Sequence, residues 1–387
     1  MDYIQQAYKG LHDFWRYFIG VFIIFIAWQV IGMIPLGVAL AVKIFGDTSV
    51  SMPTDIPEMS QVLGSNLFLF LMLLSFVFGL LGVFLSSKLL HKQSITSLTT
   101  ARKDIDWKRF WFIFIIWGVI SISFVLVDYY MSPEDYQFNF NLQPFLILAV
   151  IAILLIPLQT SFEEYFFRGY LMQGIGVSTI NKKFAGIFLI ILFSIILYFF
   201  LDIETDFMWY FKILYLIVTM VIVVVFNISS RNILETNFYK SLIKFFNRNW
   251  TPLVITSVGF GLMHIANPEV DKLGPVIMVY YIGTGLFLGI ITLMDDGLEL
   301  ALGFHAANNL FTALLVTADW TAFQTHSILK DLSDPSEMAL AEIFVPVFVV
   351  FPVLLFVLSK KYNWTNWKDK LFGQVVEPPK EDYKILD

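Results

Sequence analysis

Ten apolar runs dominate this chain, near 17–42, 66–87, 110–127, 144–162, 184–201, 213–230, 251–266, 273–294, 300–318 and 343–359. Most reach the roughly 17–25 residues that a membrane-spanning helix needs. In lipid each backbone amide must be bonded inside its own structure, which leaves helices or closed barrels. The runs do not alternate apolar and polar residues as barrel strands do. The chain is therefore all-α by expectation, a polytopic transmembrane helix bundle. Composition agrees, with 58% of residues apolar and 14% charged, against roughly 25% charged in soluble domains. The weakest run is 251–266, which is short and stopped by Asn267-Pro268. The first run carries Ala39-Leu40-Ala41, similar to a signal cleavage site. It is longer than the roughly 7–15 residues of a signal core, so a retained span is expected.

Short loops rich in Lys and Arg mark the cytoplasmic side. Such residues cluster at Lys9 and Arg16, through 88–109, through 229–250, and from Lys360 to Lys370, whereas loop 128–144 has none. This alternation predicts both termini in the cytoplasm of a multi-pass protein, with a bacterial cell membrane as its setting. The acidic loop 294–299 is out of keeping, although acidic residues weigh little in this rule. Absence of cysteine removes disulfides, thiolate metal sites and cysteine nucleophiles. A net charge of −6 without a long basic run argues against nucleic acid as a partner. Expected regions are an N-terminal three-span region (1–143), a core (144–318) with a two-span insertion near 184–230, a C-terminal span with flanks (319–372) and a soluble tail (373–387).

Charged side chains at a bilayer centre cost roughly 2.5–3.5 kcal/mol on insertion scales. Polar intruders therefore call for a cause. Glu163-Glu164-Tyr165-Phe166-Phe167-Arg168 directly follows the uncharged run 144–162. On a helix Glu164 and Arg168 stand at i and i+4 and can pair, while Glu163 is turned about 100° away. One carboxylate is then neutralised and the other stays available as a general base. The plainer alternative is an interfacial charge cluster with Arg168 reaching for headgroups. Of five histidines, His12, His91 and His326 fall in loops or tails, whereas His264 and His305 lie in apolar runs. His305 and Asn309 share a helix face.

A Glu and a His can hold and deprotonate a water, and a His with an Asn can donate to an oxyanion. That chemistry suits peptide hydrolysis without a protein nucleophile and requires no cofactor. A zinc site from Glu163, His264 and His305 is chemically open, but no His-Glu-x-x-His helix is present. Acids and histidines in membranes also build proton relays, so a proton-coupled transporter is an alternative. A non-catalytic immunity or scaffold protein is another.

In order, Glu163-Glu164…Arg168, Phe260…His264 and His305…Asn309 resemble the three motifs of the CPBP family of intramembrane proteases, also called the type II CAAX prenyl endopeptidase or Abi family. The resemblance covers roughly residues 144–318. It implies a CAAX-protease-like core and an intramembrane endopeptidase. Glu163 and His264 would activate water, His305 and Asn309 would form the oxyanion site, and Glu164 and Arg168 would brace them. It also implies a protein or peptide substrate, with lipid-modified or membrane-associated chains as candidates. Two extra spans separate the first motif from the second. The topology puts Glu163 near the inner end of its span and His264 in the outer half. They can meet only if the first helix continues past Arg168 through Met172, or if the 251 helix begins outside the bilayer.

Overall fold

The computed structural model describes residues 1–47, 49–205, 209–322, 324–335 and 340–383. Its main elements are helices, as the apolar runs predict. They are α1 (Phe14–Gly46), α2 (Ser65–Leu89), α3 (Trp107–Met131), α4 (Leu142–Ser178), α5 (Phe184–Thr205), α6 (Trp209–Ser229), α7 (Trp250–Leu262), α8 (Met278–Asp295), α9 (Glu299–Leu315) and α10 (Leu340–Tyr362). Among the described residues, seven helices are long and apolar enough to cross a membrane. The chain is a multi-pass membrane protein. Three of the ten expected spans fall outside that class. The α5 and α7 regions give shorter apolar helices, Phe184–Phe200 and Trp250–Leu262. The third, α9, ends at Leu315 and is largely buried among other helices. Its apolar composition serves protein contact as much as lipid contact.

The 37 residues of α4 are the key to the site. At 1.5 Å per residue that helix is about 55 Å long, well beyond the roughly 30 Å hydrocarbon core. Glu163 therefore lies near its middle, because the helix does continue past Arg168 and Met172. Its turns from Tyr165 to Leu171 are π-helical, a local widening often found at functional sites. One face of α4 packs on α2 and another on α9, which in turn packs along α3. Gly303 permits the α9–α3 contact, since a Cβ there would stand 2.3 Å from the Phe110 carbonyl oxygen. Helices α7 and α8 run antiparallel at similar closeness, and a Cβ on Gly285 would lie 2.7 Å from the Ser257 carbonyl oxygen.

Charged loops cluster at one end of the bundle. The acidic turn between α8 and α9 meets the basic loop before α3. Arg102 bonds Asp295 at 3.1 Å and Glu299 at 2.7 Å, and Arg109 also bonds Asp295. Lys370 pairs with Asp296. This explains how an acidic turn sits among positive loops, since its charges are consumed by them. Elsewhere three short strands, unforeseen in an all-helical reading, form a sheet ordered β1-β3-β2. They are β1 (Tyr136–Phe138), β2 (Val316–Ala318) and β3 (Leu329–Asp331). β1 pairs antiparallel and β2 parallel with β3, which joins the end of α9 to the segment before α4. The inserted helices α5 and α6 pair with each other, and their ends meet where Lys183 Nζ donates to the Asn227 carbonyl at 2.6 Å. Beyond Gly373, Val375 is buried and Tyr383 lies 5.6 Å from the Tyr8 ring, so the described part of the tail lies on the N-terminal segment.

That N-terminal segment is clamped to α4 through His91. The Nδ1 of His91 lies 2.6 Å from the Leu11 carbonyl, and its Nε2 lies 2.7 Å from the Tyr170 hydroxyl. Nδ1–H donates to the carbonyl, which leaves Nε2 to accept from the tyrosine. Burial lowers the His91 imidazole from its ordinary 6.5 to about 4, helped by the Arg16 charge and opposed by the Leu11 hydrogen bond and Asp13. An unfolded chain takes up this proton more readily than the folded one. The clamp's contribution is therefore complete above about pH 6.5 and lost as pH falls toward 4. Thermal melting of the wild type is expected to drop across that window, and a His91→Gln variant is expected to show a flatter profile. Parallel pH profiles for the two proteins would refute this.

Candidate active site

Glu163 and Glu164 are both buried on α4, and Arg168, with 0% exposure, is one of the most enclosed large side chains. The alternative of an Arg168 reaching for headgroups is therefore excluded. As the i, i+4 spacing predicts, Arg168 Nη1 bonds Glu164 Oε1 at 3.1 Å. Its Nη2 donates to the Gly285 carbonyl at 3.1 Å, and the guanidinium lies 4.3 Å from the Phe260 ring centroid. The cation is thus held by a carboxylate, a carbonyl dipole and an aromatic face, which replaces the water it has lost.

His305 projects from α9 into the gap between the two carboxylates. Its Nδ1 is 2.8 Å from Glu164 Oε1, and its Nε2 is 3.5 Å from Glu163 Oε2. The first is a hydrogen bond in which Nδ1–H donates to the carboxylate, the arrangement that fixes the tautomer and orientation of a catalytic imidazole. The second is too long for one. Among the described residues, no donor bonds Glu163 Oε2, so the lone pairs of that buried oxygen are unpaired. Glu163 Oε1 instead accepts from Gln159 Nε2 at 2.6 Å, and Gln159 Oε1 accepts from Asn309 Nδ2 at 3.2 Å. Asn309 thus joins the cluster through Gln159. Gln159 is the principal site residue that the sequence reading missed. Its available signal was its place one turn before Glu163 in an otherwise apolar run.

His264 lies in the turn that follows α7. Its Nδ1–H donates to the Phe260 carbonyl at 2.9 Å, and its ring stacks on Tyr281 with centroids 4.4 Å apart. Among the described residues, no hydrogen bond or ion pair joins it to Glu163, His305 or Asn309. It nevertheless shares their depth. Leu253 and Met172 both approach Gly289, and Phe260 packs on Phe167 with centroids 5.6 Å apart. The α7 and α4 helices therefore run antiparallel in that register. One turn beyond Phe260 brings His264 level with Glu163 and Glu164, one turn before Phe167 and Arg168. The Phe260 ring lies against both imidazoles, at 4.9 Å from His264 and 5.8 Å from His305. Past His264, Glu269 accepts from the Ala322 backbone N–H at 2.9 Å. Burial raises its carboxyl above the ordinary range, against the pull of nearby His264.

The donor set does not fit a three-ligand metal site. Among the described residues, no three His, Cys, Asp or Glu side chains converge as ligands of one ion. Both His305 nitrogens face carboxylates, and Arg168 already neutralises Glu164.

Residues 141–311 match the family model of the type II CAAX prenyl endopeptidase Rce1-like proteins. That segment includes Glu163, Glu164, Arg168, His264, His305 and Asn309, so the resemblance read from the three motifs is borne out there. The chain is also similar to "Uncharacterized protein YyaK" of Bacillus subtilis (strain 168), with 25% identity over 318 residues, 82% of this chain and 83% of that protein. No solved structure matches.

Proposed function

With residues 141–311 Rce1-like, we propose that this membrane protein is an intramembrane endopeptidase that hydrolyses a peptide bond with water activated at Glu163. The observation that carries this is the buried cluster of Glu163, Glu164, Arg168 and His305 at mid-height of α4. Such a group is costly in a membrane protein and is kept where chemistry uses it. Glu163 Oε2 takes the proton from water, and the resulting hydroxide adds to the scissile carbonyl carbon. Asn309 Nδ2–H donates to the oxyanion, with the His305 ring beside it. The C–N bond then breaks, and the proton held by Glu163 passes to the leaving amine. Glu164 and Arg168 hold the His305 ring. His264, level with Glu163, helps hold the water.

The substrate class is a membrane-associated polypeptide, lipid-modified chains included. Positive loops at 88–109 and 229–250 support both termini lying in the cytoplasm of a bacterial cell. The test uses the full-length protein in lipid vesicles with membrane-anchored peptides, prenylated C-terminal peptides among them, in heavy-oxygen water. The wild type should generate new carboxyl termini carrying the heavy label. His264→Ala should lower kcat by about 10²–10⁴-fold, the usual worth of acid–base assistance. A folded wild type that cleaves no peptide would overturn the proteolytic reading. Wild-type rates in His264→Ala would remove His264 from the water site.

A further inference from the structure

We infer that a one-way chain of side-chain amides, running from Trp117 through Asn308, Asn309 and Gln159 to Glu163, positions the base and commits Asn309 to donating. The inference rests on the proposal that Glu163 acts as the base. Trp117 on α3 donates from Nε1 to Asn308 Oδ1 at 3.1 Å. Asn308 Nδ2 donates to Asn309 Oδ1 at 3.2 Å, and Asn309 Nδ2 donates to Gln159 Oε1 at 3.2 Å. Gln159 Nε2 donates to Glu163 Oε1 at 2.6 Å. Four bonds thus link three helices.

The direction follows from the two ends. An indole N–H can only donate, and an ionised carboxylate can only accept. Each of the three amides between them offers one oxygen and one NH2 group. Only one orientation of each satisfies the whole chain. Reversing any one sets oxygen against oxygen or N–H against N–H. The Tyr280 hydroxyl beside Asn308 can donate or accept, so it imposes no direction of its own.

Two consequences bear on the site. Glu163 Oε1 is occupied by Gln159, so Oε2, the oxygen facing His305, is the one left to take a proton. Asn309 Oδ1 is occupied by Asn308, so Asn309 presents the rest of its polar surface as N–H. That is the polarity an oxyanion needs. Gln159, Asn308 and Trp117 are positioning residues, since each acts through a neighbour.

Asn308 is half-buried and stands three hydrogen bonds away from Glu163 along the chain. Asn308→Asp keeps the shape but removes the donor to Asn309. Asn309 then turns its N–H toward the new acid, Gln159 turns with it, and an oxygen faces Glu163. Asn308→Ala removes the group without reversing anything. Asn308→Asp should therefore lower kcat about 10–100-fold, matching Gln159→Leu and the worth of a hydrogen bond to a charged group, with KM little changed. Asn308→Ala should cost only severalfold. A space-filling role predicts the opposite order, and finding that order would overturn the inference. Trp117→Phe should cost severalfold alone and nothing further in the Asn308→Ala background.

A second readout needs no activity. The indole N–H resonance of Trp117, assigned by its loss in Trp117→Phe, is recorded in the full-length protein in nanodiscs. A coupled chain shifts it in Gln159→Leu, although Gln159 does not touch Trp117. An unmoved resonance overturns the chain. A shifted resonance in a protein that cleaves nothing supports the chain and sinks only the proteolytic proposal.

Discussion

Glu163→Gln is expected to lower kcat by about 10²–10⁴-fold and to leave KM within a few-fold of the wild type, as loss of a general base does. The substitution is close to isosteric. Its side-chain oxygen can still accept from Gln159, which now holds Glu163 Oε1 at 2.6 Å, so the helix and its neighbours are preserved. What disappears is the basic oxygen facing His305 Nε2 across 3.5 Å. Steady-state cleavage of a membrane-anchored peptide by vesicle-reconstituted protein gives the measurement. A variant that melts like the wild type and cleaves at its rate would remove Glu163 from the chemistry.

Arg168→Met is expected to lower unfolding stability by about 3–5 kcal/mol, the usual cost of stranding one partner of a buried ion pair. Glu164 would remain buried with its guanidinium gone, and the Gly285 carbonyl and the Phe260 face would lose their cation. Arg168→Lys should rescue only part of this, because an ammonium lacks the planar fork that reaches two partners. The double variant Arg168→Met/Glu164→Leu should regain much of the lost stability, since no uncompensated charge is left. It should stay inactive, because His305 Nδ1 would have no acceptor. Denaturant unfolding in mixed micelles tests the first claim, and a loss under about 1 kcal/mol for Arg168→Met would reject it.

The sequence displays relations along one helix more clearly than those between helices. The Glu164–Arg168 bond and the shared face of His305 and Asn309 follow from a period of 3.6 residues, and both are observed. The apolar runs likewise locate the main helices, because a long uncharged stretch has few other solutions. The rotation of α9 against α4 is invisible in the sequence. Nothing in the chain indicates that His305, rather than His264, stands beside Glu163. Gln159 was obscured for a similar reason, being a neutral residue in an apolar run whose meaning comes from two other side chains. The depth of His264 could be posed as a question from the sequence, but it needed the continuous α4 helix and the Phe260–Phe167 contact for an answer. The acidic turn at 294–299 broke the charge pattern because its partners, Arg102 and Arg109, are distant in the chain.

The meeting of Lys183 and Asn227 at the base of α5 and α6 makes that pair a detachable cassette. Its entry and exit lie side by side, so the chain resumes toward α7 from nearly the point where it left α4. A hairpin of this kind can be gained or lost by an indel without re-threading the bundle. The first and second motifs can thus drift far apart in sequence while Phe260 continues to pack on Phe167.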